Sequence, residues 1–195
     1  MSRFLATRFA LVSSVSFASV ALLTVAAGCR NDPVEQAIIN SLPADSSPNG
    51  AEHRAGQPCL VCHDAYGGAT PFAVAGTVYG LDATTKALVP AANINVTVLD
   101  SNSGDSRKAC TNAAGNFYIL AANWSDLTFP LTPTAAGLSM ESLVGRDGSC
   151  ASCHALPGAS TTGGPQDPVT GASRDSAGAI VVNPAMTDPN CMSTP

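Results

Sequence analysis

Two short stretches of this chain repeat one pattern of thiol and imidazole side chains. Both spell Cys-x-x-Cys-His, the first at 59–63 and the second at 150–154. Two thiols can add to the vinyl groups of a haem as thioethers, and the adjacent imidazole can coordinate its iron. Random placement of the 7 Cys and 3 His would give about 0.004 such motifs. The pattern therefore predicts two covalently bound haem c groups.

The spacing assigns a role to each motif residue. The expected thioether-forming cysteines are Cys59, Cys62, Cys150 and Cys153, and the expected proximal iron ligands are His63 and His154. Two Cys-x-x-Cys pairs could instead build a four-thiolate zinc site or two simple disulfides. The histidine that directly follows each pair favours haem, as does the predicted export described below.

The sixth ligand of each iron decides what the haems can do. Met or His at that position gives an electron-transfer centre, whereas an open position permits small-molecule binding or peroxide chemistry. His53 is the only histidine outside the motifs, and Met140 lies ten residues before Cys150. Both are candidate distal ligands, and Met186 and Met192 are weaker ones.

The N-terminus has the pattern of an export signal. Arg3 and Arg8 precede an uncharged apolar run at 9–25, and small residues then lead to Cys29. The sequence Ala-Ala-Gly-Cys resembles the lipobox of bacterial lipoproteins, although Ala26 stands where that family usually has Leu. Lipidation of Cys29 is expected, with ordinary cleavage and an unlipidated cysteine as the alternative. The expected location is the bacterial cell envelope, as a periplasmic or cell-surface lipoprotein anchored to a membrane.

The charge of the chain restricts its partners. Residues 1–28 contain two arginines and no acid, so their removal changes the formal charge from −5 to −7. An acidic surface argues against binding to nucleic acid. It is compatible with a redox partner protein, which could be another cytochrome, and equally with ordinary solubility.

Six segments are predicted along the chain. They are a lipoprotein-type signal peptide at 1–28, a flexible tether at 29–50, a first haem segment at 51–70, a β-sandwich at 71–135, a second haem segment at 136–160 and a loop-rich C-terminal tail at 161–195. Residues 180–182 could add a short strand or cover a haem face.

Apolar residues in the central segment recur with the period of a β-strand. Phe72, Val74 and Val78 fall at even spacing, and two further runs at 94–98 and 117–119 do the same. Turn residues separate these runs. The expected fold is mainly β, a small antiparallel β-sandwich flanked by two short haem-binding helical or loop segments.

Three stretches carry a family resemblance. They are Gly-Thr-Val-Tyr at 76–79, Pro-Ala-Ala-Asn-Ile-Asn-Val-Thr-Val at 90–98 and Thr-Asn-Ala-Ala-Gly-Asn-Phe-Tyr-Ile at 111–119. Over about 60 residues the chain resembles the carboxypeptidase-regulatory-like domain, a transthyretin-type β-sandwich. The resemblance implies an exported scaffold without catalysis of its own. With the motifs, the chain resembles a dihaem c-type cytochrome lipoprotein built around such a domain.

Cysteine counting leaves one further pair. Four of the 7 Cys are assigned to haems and Cys29 to lipid, so Cys110 and Cys191 remain. An oxidising compartment would favour a disulfide between them, although two separate thiols stay possible.

Three functions fit these observations. The first is electron transfer between two haems and a redox partner, without substrate chemistry on the protein. The second is a dihaem peroxidase-like enzyme with one open iron, although dihaem peroxidases are larger and helical. The third is an exported ligand-binding or adhesive β-module with structural haems. Electron transfer is favoured because most of the chain has strand periodicity and carries no catalytic motif.

Overall fold

The computed structural model describes residues 36, 39–42, 44–45, 47, 50–64, 68–154 and 177–191. The predicted signal peptide, Cys29, most of the tether and Met192 lie outside these ranges. Within them, no helix has both the length and the apolar character needed to cross a membrane.

The described residues form a mainly β structure of two sheets with eight strands. In chain order these are β1 (Phe72–Leu81), β2 (Leu88–Pro90), β3 (Asn95–Asp100), β4 (Ser106–Cys110), β5 (Asn116–Leu120), β6 (Leu131–Ala135), β7 (Leu138–Ser139) and β8 (Ile180–Val181). The first sheet has the order β2-β1-β5, with β8 paired to β1, and the second has the order β4-β3-β6-β7. All pairs are antiparallel except β1 with β8. This confirms the mainly β class and is consistent with a β-sandwich.

The core is formed by strands in which buried and exposed positions alternate. In β3, Val96 and Val98 are buried while Leu99 is 38% exposed, and in β5 Phe117 and Ile119 are buried while Tyr118 is 42% exposed. Alternation of this kind is typical of strands with one face against a core. The buried apolar cluster consists of Val74, Val78, Ala91, Ile94, Val96, Val98, Phe117, Ile119, Trp124, Leu131 and Val182.

Strand β1 departs from this alternation because both of its faces are covered. Every residue from position 74 to position 80 is buried. Val74 and Val78 belong to the core, whereas Ala75, Thr77 and Tyr79 alternate with them and are buried as well. Other segments of the chain therefore pack on the second face of β1, among them the residues before the first Cys-x-x-Cys-His motif, where the Gly56 N–H donates to the Thr77 hydroxyl.

The sheets extend beyond the range predicted for the sandwich. Strand β7 follows β6 through a two-residue loop, Ala136 and Gly137, both with positive φ (50° and 77°). Positive φ at both positions is the requirement of a type I′ hairpin turn, which Asn-Gly usually satisfies. The Ala-Gly pair lacks that signature, so this hairpin beyond the predicted end of the sandwich at residue 135 could not be predicted from the local sequence.

The C-terminal residues are fastened to the sandwich. Cys110, at the end of β4, forms a disulfide with Cys191, with Cα atoms 5.3 Å apart and a sequence separation of 81 residues. The side-chain amide of Asn95 donates to Asp188 at 2.8 Å, and the Asp188 N–H donates to the Asn93 carbonyl at 2.8 Å. These contacts hold 177–191 beside β1, where β8 joins the sheet.

Candidate haem-attachment sites

The two motifs adopt the same backbone turn. Each begins with a 3₁₀ turn, Cys59–Val61 in the first motif and Cys150–Ser152 in the second. The residue before each turn is extended, with ψ 97° in both cases. The His63 N–H then donates to the Cys59 carbonyl at 3.0 Å, and the His154 N–H donates to the Cys150 carbonyl at 2.8 Å. This repeated turn gathers two thiols and one imidazole on a short arc of backbone.

Both motif histidines are oriented by a backbone carbonyl. Nδ1 of His63 lies 2.8 Å from the Thr70 carbonyl oxygen, and Nδ1 of His154 lies 2.9 Å from that of Gly178. A carbonyl oxygen only accepts hydrogen bonds, so Nδ1 carries the proton in both rings. The lone pair is thereby left on Nε2, the tautomer and orientation that metal-ligating histidines commonly have.

Each of these carbonyls comes two residues before a strand. Thr70 precedes β1, which begins at Phe72, and Gly178 precedes β8, which begins at Ile180. The Phe72 N–H also donates to the His63 carbonyl at 2.7 Å, and the Ala177 N–H donates to the Cys153 carbonyl at 2.8 Å. Formation of β1 and β8 therefore positions the two carbonyl groups that orient the imidazoles.

The motif cysteines remain thiols, in contrast to the bonded pair Cys110 and Cys191. Burial raises the pKa of the Cys59 thiol to about 11. Burial, assisted by the nearby Cys59 and Asp147, raises the pKa of Cys150 to about 12. Reactive redox cysteines have lowered pKa values because the thiolate is the nucleophile. The first thiol of each motif is thus kept protonated, which argues against thiol–disulfide exchange as its role.

A cleft of about 230 Å³ lies beside the first motif. Cys59, Cys62, His63 and His53 contribute to its wall, with Phe72, Ala75, Phe117 and Tyr118 among the apolar and aromatic lining. The His63 ring stacks on Phe72 with centroids 4.0 Å apart, and Phe72 stacks on Tyr118 at 4.6 Å. The lining is mostly apolar and carries two thiols and imidazole nitrogens, so the chemistry of these side chains fits a thioether-bound haem.

The second motif packs against β1 through close backbone contacts. The Ala75 N–H donates to the Gly148 carbonyl at 2.9 Å, and Ala75 pairs in parallel with Ser149. A Cβ added to Gly76 would lie 2.7 Å from the Cys150 Cβ, and one added to Gly148 would lie 2.0 Å from the Ala73 carbonyl oxygen. Because those distances are too short for real atoms, only glycine allows the second motif to lie this close to β1.

The first motif reaches the same stretch of β1. The Gly56 N–H donates to the Thr77 hydroxyl at 2.8 Å, and the Thr77 hydroxyl donates to the Asn116 side-chain oxygen at 2.7 Å. Ala75 pairs with Tyr118 of β5 on one side and with Ser149 on the other. Three consecutive residues at 75–77 thus support both attachment segments.

The described ranges contain no cluster of three His, Cys, Asp or Glu side chains that could hold a bare metal ion. All four motif cysteines lie within those ranges, so they do not assemble the four-thiolate zinc site that the sequence left open. A haem has no such requirement, because the porphyrin supplies four nitrogen ligands and the protein only the axial ones.

The candidate distal ligands lie in different places. The His53 ring centroid is 5.8 Å from that of His63, beside the first motif. Met140 follows β7 at the edge of the second sheet, where its N–H donates to the Pro133 carbonyl, whereas both motifs contact β1 of the first sheet. Met186 lies after β8 and is 46% exposed. Of these candidates, the structure places His53 beside a motif histidine.

Several residues that support the motifs were not predicted from the sequence. Thr77 and Asn116 form a buried hydrogen bond beneath the first motif, and Phe72 stacks on its histidine. A signal was present for the second motif, because two glycines, Gly76 and Gly80, interrupt an otherwise apolar strand. Glycine inside a strand often marks a close approach of other backbone, here Cys150 at Gly76 and Pro184 at Gly80.

The chain matches no protein-family profile, no curated protein and no solved structure. Its resemblance to carboxypeptidase-regulatory-like domains and to dihaem cytochromes stays a prediction, and the function is argued from the site itself.

Proposed function

We propose that this chain is an electron-transfer protein with two covalently attached haem c groups. The observation that carries the proposal is the repetition of one arrangement. In both motifs the same turn presents two thiols, and Nδ1 of the histidine donates to a carbonyl so that Nε2 is available. When bound, each haem would supply a one-electron Fe(III)/Fe(II) couple, reduced by a donor protein and oxidised by an acceptor protein, with no bond made or broken.

The protein's own residues perform the positioning. The four motif cysteines fix the haem edges covalently, and His63 and His154 present Nε2 to the irons. Strand β1 supports both segments at 75–77, so the two attachment sites share one rigid strand. A shared support sets the separation of the two redox centres, on which the rate of electron exchange between them depends.

The proposed setting is the bacterial cell envelope. Lipidation at Cys29 would anchor the protein to a membrane, and residues 29–50 would act as a tether. A disulfide between Cys110 and Cys191 is compatible with an oxidising compartment. The proposed partners are redox proteins, among them other cytochromes.

An anaerobic redox titration followed by optical spectra tests this proposal. The full chain is produced in a bacterial host that matures c-type cytochromes. We expect two one-electron couples, reversible and without turnover of hydrogen peroxide. Rapid peroxide turnover would favour the peroxidase-like enzyme instead, and the lack of any reversible couple would contradict electron transfer.

A further inference from the structure

His53 and His63 are two imidazoles that line one cleft. Their ring centroids are 5.8 Å apart, and their planes are inclined by 40°. Nδ1 of His53 donates to the Gly50 carbonyl, as Nδ1 of His63 donates to the Thr70 carbonyl. Both rings therefore keep the Nε2 lone pair, the atom with which an imidazole binds a metal.

The segment that carries His53 is tied to the sandwich. The Asn116 amide donates to the His53 carbonyl at 3.0 Å, and the Asn112 amide donates to the Ala51 carbonyl at 2.6 Å. The Gly56 N–H donates to the buried Thr77 hydroxyl. These bonds fix the backbone on both sides of His53, so the position of its ring beside His63 is built into the fold.

The separation of the two rings agrees with ligation of one metal ion. With a metal–nitrogen bond of about 2 Å on each side, two imidazoles bound to opposite faces of one metal have centroids about 6 Å apart. The observed 5.8 Å is close to that value.

We propose that His53 and His63 are the two axial ligands of one haem iron, and that the iron bound by His154 has no second imidazole. The absence of a second imidazole at the iron bound by His154 follows from composition, because the chain has 3 His and this pairing uses the other two. The inference rests on the proposed function and deepens it, since it makes the two sites chemically unequal. Methionine ligation raises the potential of a haem relative to two imidazoles. Because axial ligands set the potential of a haem, the two sites are expected to have different midpoint potentials.

The test uses the full-length, haem-loaded protein and three variants. His53→Ala removes the imidazole, His53→Met replaces it with a thioether, and Glu52→Gln is the matched control at the exposed neighbouring position. Intact mass reports how many haems each protein carries. Low-temperature electron paramagnetic resonance of the ferric protein reports bis-imidazole ligation, and a redox titration gives the two midpoint potentials.

We expect a bis-imidazole signal from one haem of the two in the wild type and in Glu52→Gln. The signal should be lost in His53→Ala with both haems retained, and added imidazole should restore it. In His53→Met one midpoint potential should rise while the other stays constant. A bis-imidazole signal that survives in His53→Ala, or a haem-loaded wild type without this signal, overturns the inference. A wild type without covalent haem contradicts the proposed function itself, so the two failures are distinguishable.

Discussion

At the scale of residues, the two motif histidines are prepared for metal binding in the same way. Each donates Nδ1–H to a carbonyl two residues ahead of a strand, and each follows a turn of the same shape. The sequence predicted which residues these are, because Cys-x-x-Cys-His is a local pattern. It could not predict Thr70 and Gly178 as partners, since backbone carbonyls have no sequence signature and Gly178 is 24 residues from His154.

Removal of one cysteine pair should remove one haem and leave the other. Cys59→Ala/Cys62→Ala and Cys150→Ala/Cys153→Ala are each expected to carry a single covalent haem, because thioether formation needs the thiols of that motif. Intact-mass spectrometry gives the count.

A matched control is available in the disulfide pair. Cys110→Ala/Cys191→Ala also removes two cysteines but should keep both haems, because neither residue belongs to a motif. Two haems in either motif variant would contradict the assignment of the cysteines.

At the scale of elements, β1 is the strand on which both motifs depend. The even spacing of apolar residues in β1 and the apolar alternation of β3 and β5 could be predicted from the sequence, but the burial of both faces of β1 could not. Strand β4 (Ser106–Cys110) could not, because Ser-Arg-Lys-Ala-Cys lacks apolar alternation and its position is fixed by pairing with β3. Strand β8 is different, because a short strand at 180–182 was one of the two alternatives predicted from the sequence, and the pairing of β8 with β1 confirms it.

Enlarging Gly76 should displace the second motif. In Gly76→Ala the new Cβ would meet the Cys150 Cβ at 2.7 Å and Phe117 at 3.0 Å, so one of them must move. Overpacking of this kind costs about 1–3 kcal/mol in the free energy of unfolding. We expect reduced haem loading at Cys150 and Cys153, measured by intact mass, and a lower unfolding temperature.

The control for this substitution is Gly145→Ala. A Cβ at Gly145 has no atom within 4 Å, so stability and haem loading should stay at the wild-type level. Equal behaviour of the Gly76 and Gly145 variants would show that the close approach at β1 has no energetic consequence.

The turn after β3 depends on the ionised side chain of Asp100. Burial opposes its ionisation, but hydrogen bonds from Thr128, Ser103 and Asn102 outweigh burial and lower its pKa. Because the pKa of Asp100 is lower in the folded state, its ionised carboxylate stabilises the fold at pH values above the unfolded-state pKa of about 4. This stabilisation is lost as the pH falls through the folded-state pKa.

Asp100→Asn should therefore lower stability near neutral pH. Urea unfolding is expected to show a lower midpoint than wild type at about pH 7 and a smaller difference at about pH 2, where the Asp100 carboxyl of the unfolded wild type is already protonated. A difference that is independent of pH would exclude the carboxylate's charge as the cause.

At the scale of the whole molecule, the two sheets and the C-terminal segment are joined by one disulfide. Cys110 and Cys191 close a loop with a sequence separation of 81 residues, and β8 in that loop pairs with β1 beside the second motif. The composition of 7 Cys was enough to suggest this pair from the sequence. The docking of both motifs on one strand was not predictable, because it results from contacts between segments far apart in the chain.

Loss of this disulfide should destabilise the whole protein. In the chain-entropy model a loop of this length contributes about 4 kcal/mol. Cys110→Ala/Cys191→Ala is expected to show a lower urea midpoint than wild type, and reduction of the wild type should have a similar effect. A midpoint equal to that of oxidised wild type would show that the segment at 177–191 is held by its other contacts.

The central claim is that each Cys-x-x-Cys-His segment carries its own haem. Intact-mass spectrometry of the protein purified from a host that matures c-type cytochromes tests it most directly. We expect a mass increase equal to two haems, which stays under denaturing conditions because the thioether bonds are covalent. A polypeptide mass without added porphyrin would contradict it.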